Sequence, residues 1–131
     1  MNNEQYIDAL KALGEPHRLR LFWLLIHVDQ QITVAEAMDV TRDSQYNVSR
    51  NLKMLYKAGL LTQEKRGKWV YYRLAPQTIP YWCALVESVR TLPSSNFLDV
   101  SSRCKKRLAM RVDEQCVVGP NSPEWLSQFK E

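Results

Sequence analysis

The sequence predicts a mainly α-helical protein that carries one small β-hairpin. Three observations lead to this fold class. Several segments place apolar residues at helical spacing, one segment has the two-residue alternation of a β-strand, and glycine or proline separates many of these segments. The chain has 131 residues, of which 45% are hydrophobic and 24% are charged. These values are typical of a single globular domain.

Helical spacing and capping residues predict the first four helices. They are expected over residues 4–13, 16–29, 33–38 and 42–58. The second is apolar nearly all round and therefore belongs in the centre of the domain. Thr33 and Glu36 have the spacing of a capping box at the start of the third helix, and a three-residue connector follows that helix. Val48, Leu52 and Leu55 form the buried stripe of the fourth helix, so the third and fourth form a helix-turn-helix unit.

The pattern then changes to a period of two. Residues 61–74 are predicted to form two strands around a turn at 65–68. A hairpin directly after a helix-turn-helix is a wing, so the predicted fold is a winged helix-turn-helix. A fifth helix is expected over 80–92, followed by a basic helix over 103–111 and a mostly irregular tail over 112–131.

Composition excludes several classes of protein. The longest apolar run, residues 19–28, has about half the length of a membrane-spanning helix, and residues 1–8 lack the pattern of a signal peptide. We therefore expect no membrane association and a cytoplasmic location. Three cysteines are an odd number, which argues against a disulfide-stapled secreted scaffold and for reduced thiols.

Positive charge is concentrated in the centre of the chain. Residues 41–75 contain eight Lys or Arg and two Asp or Glu, a net charge of +6, whereas the whole chain carries +4. A basic block of this kind indicates a polyanionic partner, with nucleic acid as the first candidate.

Three segments resemble the ArsR/SmtB family of winged-helix repressors in order and spacing. They are Ala12–Leu25, ALGEPHRLRLFWLL; Ser44–Leu61, SQYNVSRNLKMLYKAGLL; and Gly67–Leu74, GKWVYYRL. The resemblance implies a transcriptional repressor that binds double-stranded DNA at an imperfectly palindromic operator. One departure concerns Asn51, where the family usually has His, and it leaves the operator sequence open.

The fourth helix is the predicted recognition helix. Hydrogen-bonding side chains on its outward face suit base edges in the major groove, since Gln and Asn can bind adenine and Arg can bind guanine. Gln45 and Ser49 lie at the flanks of this face, and the resemblance implies DNA contacts at Ser44, Gln45, Ser49 and Arg50. At the hairpin tip, basic side chains suit phosphate or the minor groove; a solvated turn is the alternative. The predicted DNA-contacting residues are Ser44, Gln45, Tyr46, Asn47, Ser49, Arg50, Lys53, Lys65, Arg66 and Lys68.

The resemblance also implies a homodimer built on the first and fifth helices. The apolar stripes expected at this interface are Ile7 and Leu10 on the first helix, and Trp82, Leu85, Val86 and Val89 on the fifth. We accordingly divide the chain into a DNA-binding and dimerisation domain over 1–92 and a C-terminal extension over 93–131.

Repressors of this family release DNA when a metal, metalloid or oxidant reaches a sensor site. The third helix lacks the cysteine pair of the original arsenic sensors, and residues 79–92 lack the histidines of the zinc sensors. The remaining thiols are Cys83, Cys104 and Cys116, which suit trivalent arsenic or antimony as an inducer; no obligatory cofactor is expected.

Cys104 and Cys116 are the preferred pair of ligands. Cys104 is flanked by Arg103, Lys105 and Lys106, and nearby cations are expected to lower the pKa of a thiol. Cys83 lies at the edge of an apolar stripe, so a buried structural role is its alternative.

Two other functions remain open. A redox- or persulfide-sensing repressor would use the same thiols, and a non-inducible winged-helix protein would bind DNA or dock on another protein. An enzyme is not expected, because the sequence has no catalytic constellation at interpretable spacing and no glycine-rich phosphate loop.

Overall fold

The computed structural model describes residues 3–130 and confirms the predicted fold class. Its helices are α1 Asn3–Leu13, α2 Pro16–Val28, α3 Val34–Thr41, α4 Gln45–Lys57, α5 Pro80–Arg90, α6 Leu98–Leu108 and α7 Pro123–Ser127, with a 3-10 turn over Ser94–Phe97. The strands are β1 Ile32–Thr33, β2 Leu61–Arg66 and β3 Trp69–Leu74. Within this described range, no helix is long and apolar enough to cross a membrane.

Helix α2 forms the centre of the core, as its composition predicts. All six residues from Leu21 to Ile26 are buried, and α1, α4 and α5 pack around the helix. Pro16 occupies the first turn, and the carboxylate of Glu15 caps the helix by accepting a hydrogen bond from the Arg18 amide at 3.0 Å.

The capping box at α3 is present, but the helix ends three residues later than predicted. Thr33 Oγ1 accepts from the Glu36 amide at 3.1 Å, and Glu36 Oε1 accepts from the Thr33 amide at 3.0 Å. The helix continues through Asp39 to Thr41 because the Asp39 carboxylate is satisfied by partners far along the chain. The connector is therefore residues 42–44, and α4 begins at Gln45 rather than near residue 42.

The wing is part of a three-stranded antiparallel sheet with the order β1-β3-β2. The unpredicted strand β1 has only two residues, too few for a periodic signal. Gly67 begins the two-residue hairpin turn with φ 59, a conformation that favours glycine. Tyr72 faces the core, and Tyr71, on the opposite face, is also buried because residues of the C-terminal extension cover it.

The C-terminal extension is more ordered than the sequence predicts. The basic helix runs over Leu98–Leu108 rather than 103–111, and the tail after it is packed, with Cys116 and Trp125 buried. Phe97, Val100 and Cys104 belong to the same hydrophobic core as α2. The core is therefore continuous across the predicted domain boundary at residue 92.

Candidate nucleic-acid interface and thiol site

Helix α4 is oriented by its apolar stripe. Val48, Leu52 and Leu55 are each at most 2% exposed, which turns the opposite face of the helix to solvent. Ser44 caps the helix by accepting a hydrogen bond from the Asn47 amide at 3.2 Å. Ser44 is therefore held at the first turn of α4, where backbone amides also point outward.

The structure gathers the predicted recognition residues on this outer face. A hollow of about 530 Å³ is lined by Gln45, Tyr46, Ser49, Arg50, Lys53, Met54 and Lys57. Tyr46 is 72% exposed, an unusual position for a large aromatic side chain without an external partner. Asn47 is exposed as well, so the helix presents amide, hydroxyl and guanidinium groups to one side.

Asn51, where the sequence departs from the family pattern, does not belong to this outer face. Its side chain is half-buried, and Oδ1 accepts a hydrogen bond of 3.5 Å from Arg18 Nη1. Arg18 in turn donates through Nε to the Ala12 carbonyl at 2.6 Å. Asn51 thus helps to join α4 to α2.

Arg20 also belongs to this region, although the sequence does not predict a role for it. Its Nη2 lies 2.8 Å from Oδ2 of Asp43, in the connector before α4. The ion pair compensates the charge of this carboxylate beside the start of the recognition helix. The two residues are 23 positions apart, and no local pattern in the sequence links them.

At the hairpin tip, the three predicted cations differ. Lys65 and Lys68 are exposed, whereas Arg66 folds back against the body of the protein. Its Nε lies 2.8 Å from Glu64 Oε1, and its Nη1 donates to Gln115 at 3.2 Å. The hydrogen bond from Arg66 lowers the pKa of the Glu64 carboxyl. The tip therefore presents two lysines to a polyanion.

Three arginines at a spacing of four residues join α6 and the turn after it to α3: Arg103 and Arg107 on α6, and Arg111 three residues beyond its end. We call them the arginine ladder. Arg103 Nε donates to the Val40 carbonyl at 2.6 Å, Arg107 Nε to Asp39 at 2.7 Å, and Arg111 to both oxygens of Glu36 at 2.7 Å. The side chains of Arg107 and Asp39 are 1% and 0% exposed. The spacing of Arg103, Arg107 and Arg111 is visible in the sequence, but their partners are not.

Cys104 lies on α6 within this junction, and the prediction that its neighbours lower its pKa is wrong. The thiol is 3% exposed. Burial, together with the negative charge of Glu36, raises its pKa to about 12. Lys105 and Lys106 are exposed, so solvent screens their charges from the buried sulfur.

Cys116 is also buried and borders the same part of α3. Its amide donates to Tyr71 Oη at 3.0 Å, and its sulfur accepts a hydrogen bond of 3.5 Å from Thr33 Oγ1. Thr33 and Glu36 form the capping box, and Glu36 is the residue whose charge acts on Cys104. Cys116 therefore contacts the capping box through Thr33, and Cys104 is close enough to Glu36 for the carboxylate charge to act on its thiol.

Cys83 lies apart from this pair, on α5. It is exposed, and its sulfur donates to the Gln77 carbonyl at 3.4 Å. Among residues 3–130, no group of three or more His, Cys, Asp or Glu side chains is placed to hold a metal ion. One protomer therefore does not bring the three predicted thiol ligands together.

The apolar stripe of α5 is used differently from the prediction. Leu85, Val86 and Val89 are buried within the protomer, where α5 packs against α2. On α1, by contrast, Ile7 is 46% and Leu10 is 44% exposed. Trp82, the fourth residue of the predicted α5 stripe, is half-buried. Of the two predicted stripes, the one on α1 therefore leaves more apolar surface for a partner.

Comparisons with known proteins agree with this architecture. A family model described as a helix-turn-helix domain matches residues 13–64. The chain is 38% identical over 80 residues to the "Arsenical resistance operon repressor" of Escherichia coli, covering 61% of this chain and 67% of that protein. It is 34% identical over 91 residues to the "Arsenic resistance transcriptional regulator ArsR2" of Pseudomonas putida, covering 70% of this chain and 77% of that protein.

Solved structures give the same result. HlyU from Vibrio cholerae aligns with a TM-score of 0.58 and 26% identity, covering 67% of this chain and 90% of that one. A "Possible transcriptional regulator for arsenical resistance" aligns with a TM-score of 0.52 and 33% identity, covering 72% and 95%. The helix-turn-helix, the wing and these similarities together show that the chain belongs to the ArsR/SmtB family of winged-helix, DNA-binding transcriptional repressors.

Proposed function

We propose that this repressor binds a palindromic operator as a homodimer and leaves it when trivalent arsenic or antimony binds Cys104 and Cys116. The observation that carries the proposal is the position of these thiols at the junction between the C-terminal extension and α3. The proposed activity takes place in the cytoplasm, where the operator DNA is.

The outer face of α4 supports the DNA-binding part. Gln45, Asn47 and Arg50 are exposed there and carry the groups that pair with adenine and guanine edges. Lys65 and Lys68 on the wing supply cations for phosphate or the minor groove. In a two-fold dimer, the two recognition helices would enter successive major grooves about 34 Å apart.

The chemistry of trivalent arsenic suits two buried thiols. In arsenite each thiol replaces one hydroxyl group of As(OH)₃: an As–S bond forms, an As–O bond breaks, and the hydroxyl leaves with the thiol proton as water. The bound arsenic carries no net charge, so the site stays neutral in a buried environment. Antimonite reacts in the same way.

Release follows if the inducer favours a different arrangement of the extension. Bridging Cys104 on α6 to Cys116 in the tail changes how the extension packs on Thr33 and Glu36. Since α3 is joined to α4 through a three-residue connector, a change at α3 alters the position of the recognition helix. The protein is then in equilibrium between a DNA-binding state and a released state. The inducer shifts this equilibrium because it binds the released state more tightly.

A thiol redox sensor is the second candidate. Cys116 contacts Thr33 of the capping box and Cys104 is affected by the charge of Glu36 in the same box. A solved neighbour at 26% identity, with a TM-score of 0.57, is described as reduced HlyU. In this alternative an oxidant or persulfide, rather than arsenic, reacts with the thiols of Cys104 and Cys116. Comparing arsenite with hydrogen peroxide as the releasing agent distinguishes the two candidates.

Replacing one recognition residue tests the DNA-binding part. We expect Arg50→Ala to weaken binding to a duplex from upstream of the protein's own gene by about 1–3 kcal/mol, measured by fluorescence anisotropy. Arg90→Ala is the matched control, because Arg90 is also an exposed helical arginine but lies on α5. Equal affinities for the two variants would contradict the assignment of α4 as the recognition helix.

A further inference from the structure

The ring of Phe129, near the end of the chain, contacts two cations from different parts of the protein. The guanidinium carbon of Arg42 is 5.3 Å from the ring centroid, and Lys106 Nζ is 5.1 Å from it. Lys130, the next residue, is exposed, as are Arg42 and Lys106. We call Arg42, Lys106 and Lys130 the extension cation cluster.

This cluster borders the start of the recognition helix. Arg42 lies in the connector between α3 and α4, two residues before Ser44, so their Cα atoms are within about 7 Å. Lys106 approaches from α6, which the arginine ladder fixes against α3. Arg103, one turn before Lys106, donates to the Val40 carbonyl near the end of α3.

The cluster keeps its positive charge. In the described part of the chain, Arg42 and Lys106 form no ion pair, whereas the ladder arginines Arg107 and Arg111 are paired with buried carboxylates. Contact with an aromatic ring orients a cation without neutralising it. Two cations held near one ring and next to Ser44 therefore produce a local positive potential beside the outer face of α4.

We infer that the extension cation cluster contacts operator phosphates beside the major groove that α4 enters, which makes the C-terminal extension a second DNA-contacting element. The inference rests on the proposed function. Phosphate is the group that lysine and arginine recognise irrespective of sequence. An inducer that displaces α6 would then withdraw these cations from the DNA as well as moving α4.

The salt dependence of binding tests this inference with neighbouring lysines. Lys106→Gln removes a cluster charge, and Lys105→Gln is the matched control, because Lys105 is exposed on the same helix but lines the hollow between α6 and α2. Affinities are measured for the operator duplex and for a scrambled duplex between 50 and 300 mM KCl, roughly the range in which phosphate contacts dominate the salt effect.

We expect Lys106→Gln to reduce the slope of log affinity against log salt by about 0.9 for each phosphate that the protein no longer neutralises, or about 1.8 for a dimer. The scrambled duplex should show the same reduction. Lys105→Gln and Lys106→Arg should keep the wild-type slope. A Lys106→Gln slope equal to wild type overturns the inference, and so does an equal change in Lys105→Gln. A wild-type protein that binds neither duplex overturns the proposed function as well.

Discussion

At the scale of single residues, the environments of the three cysteines decide their chemistry. Cys104 and Cys116 are 3% and 2% exposed, whereas Cys83 is open to solvent. The thiolate is the reactive form of cysteine, and burial keeps the Cys104 thiol protonated. Alkylation needs the thiolate, whereas arsenious acid reacts with the protonated thiol by exchanging a hydroxyl group, which leaves with the thiol proton as water.

The rate at which each cysteine is alkylated should follow its exposure to solvent. With iodoacetamide near pH 8, we expect Cys83 to be modified first and Cys104 and Cys116 to be protected in the folded protein. Mass spectrometry of peptides from a time course measures the order. The unfolded protein in urea is the control, in which all three should react at similar rates. Labelling of Cys104 as fast as that of Cys83 in the folded protein would contradict its burial.

The raised pKa of Cys104 also predicts a pH dependence of stability. Its folded value is about 12 against an ordinary 9.0. Between these values the folded state keeps a proton that the unfolded state loses. The contribution of this thiol to the free energy of unfolding is therefore fully present below pH 9 and declines as the pH rises toward 12.

Urea unfolding between pH 8 and pH 10.5, roughly the range over which a free thiol ionises, measures this effect. We expect the free energy of unfolding to decline less steeply with pH in Cys104→Ala than in wild type. Cys83→Ala is the control for the loss of an exposed cysteine. Identical slopes for wild type and Cys104→Ala would contradict the assigned pKa.

At the scale of elements, the contact between α6 and α3 organises the C-terminal half of the protein. Arg107 and Asp39 form a buried pair that also binds the Asn121 amide, so the helix and the tail after it share one anchor. Buried pairs contribute little net stability relative to apolar packing, but removing one partner leaves an uncompensated charge.

Arg107→Ala should therefore destabilise the protein by about 3–5 kcal/mol. The exposed pair of Arg90 and Glu87 is the control, and Arg90→Ala should change stability by less than about 1 kcal/mol. Urea unfolding followed by circular dichroism measures both variants. An Arg107→Ala protein as stable as Arg90→Ala would show that the ladder does not hold the extension.

Elements with strong local patterns could be predicted from the sequence, and elements set by distant partners could not. The stripe of α4 and the alternation of the wing are visible within a dozen residues, so their outward faces could be assigned. The end of α3 could not, because the partner of Asp39 is 68 positions away. The position of Arg66 depends likewise on Gln115, 49 residues further on.

The thiol site shows the same limit. Flanking residues predict an electropositive Cys104, since Arg103, Lys105 and Lys106 are adjacent in sequence. In a helix, however, neighbouring residues point in different directions, and Cys104 faces the core while the lysines face solvent. Burial then outweighs the nearby charges.

At the scale of the whole molecule, an exposed apolar surface on α1 indicates a partner. Tyr6, Ile7 and Leu10 are 38%, 46% and 44% exposed on one short helix, and grouped exposure of this kind is typical of an interface. A second copy of the chain is the partner that we propose, since the proposed palindromic operator would be matched by a two-fold dimer.

Leu10→Glu should therefore convert a dimer into a monomer at tens of micromolar, as measured by sedimentation velocity, and should weaken operator binding. Leu98→Glu is the control, because Leu98 is 64% exposed but lies on α6. A wild-type protein that is already monomeric at that concentration would contradict the proposed interface.

The central claim is that a thiophilic inducer acts through the extension to release DNA. The test uses the fluorescence anisotropy of a labelled operator duplex bound to wild type, Cys83→Ser and Cys104→Ser. The three proteins are first shown to bind the duplex equally in the absence of arsenite, and each complex is then titrated with arsenite. We expect arsenite to release DNA from wild type and Cys83→Ser but not from Cys104→Ser. Equal release from all three proteins would contradict it.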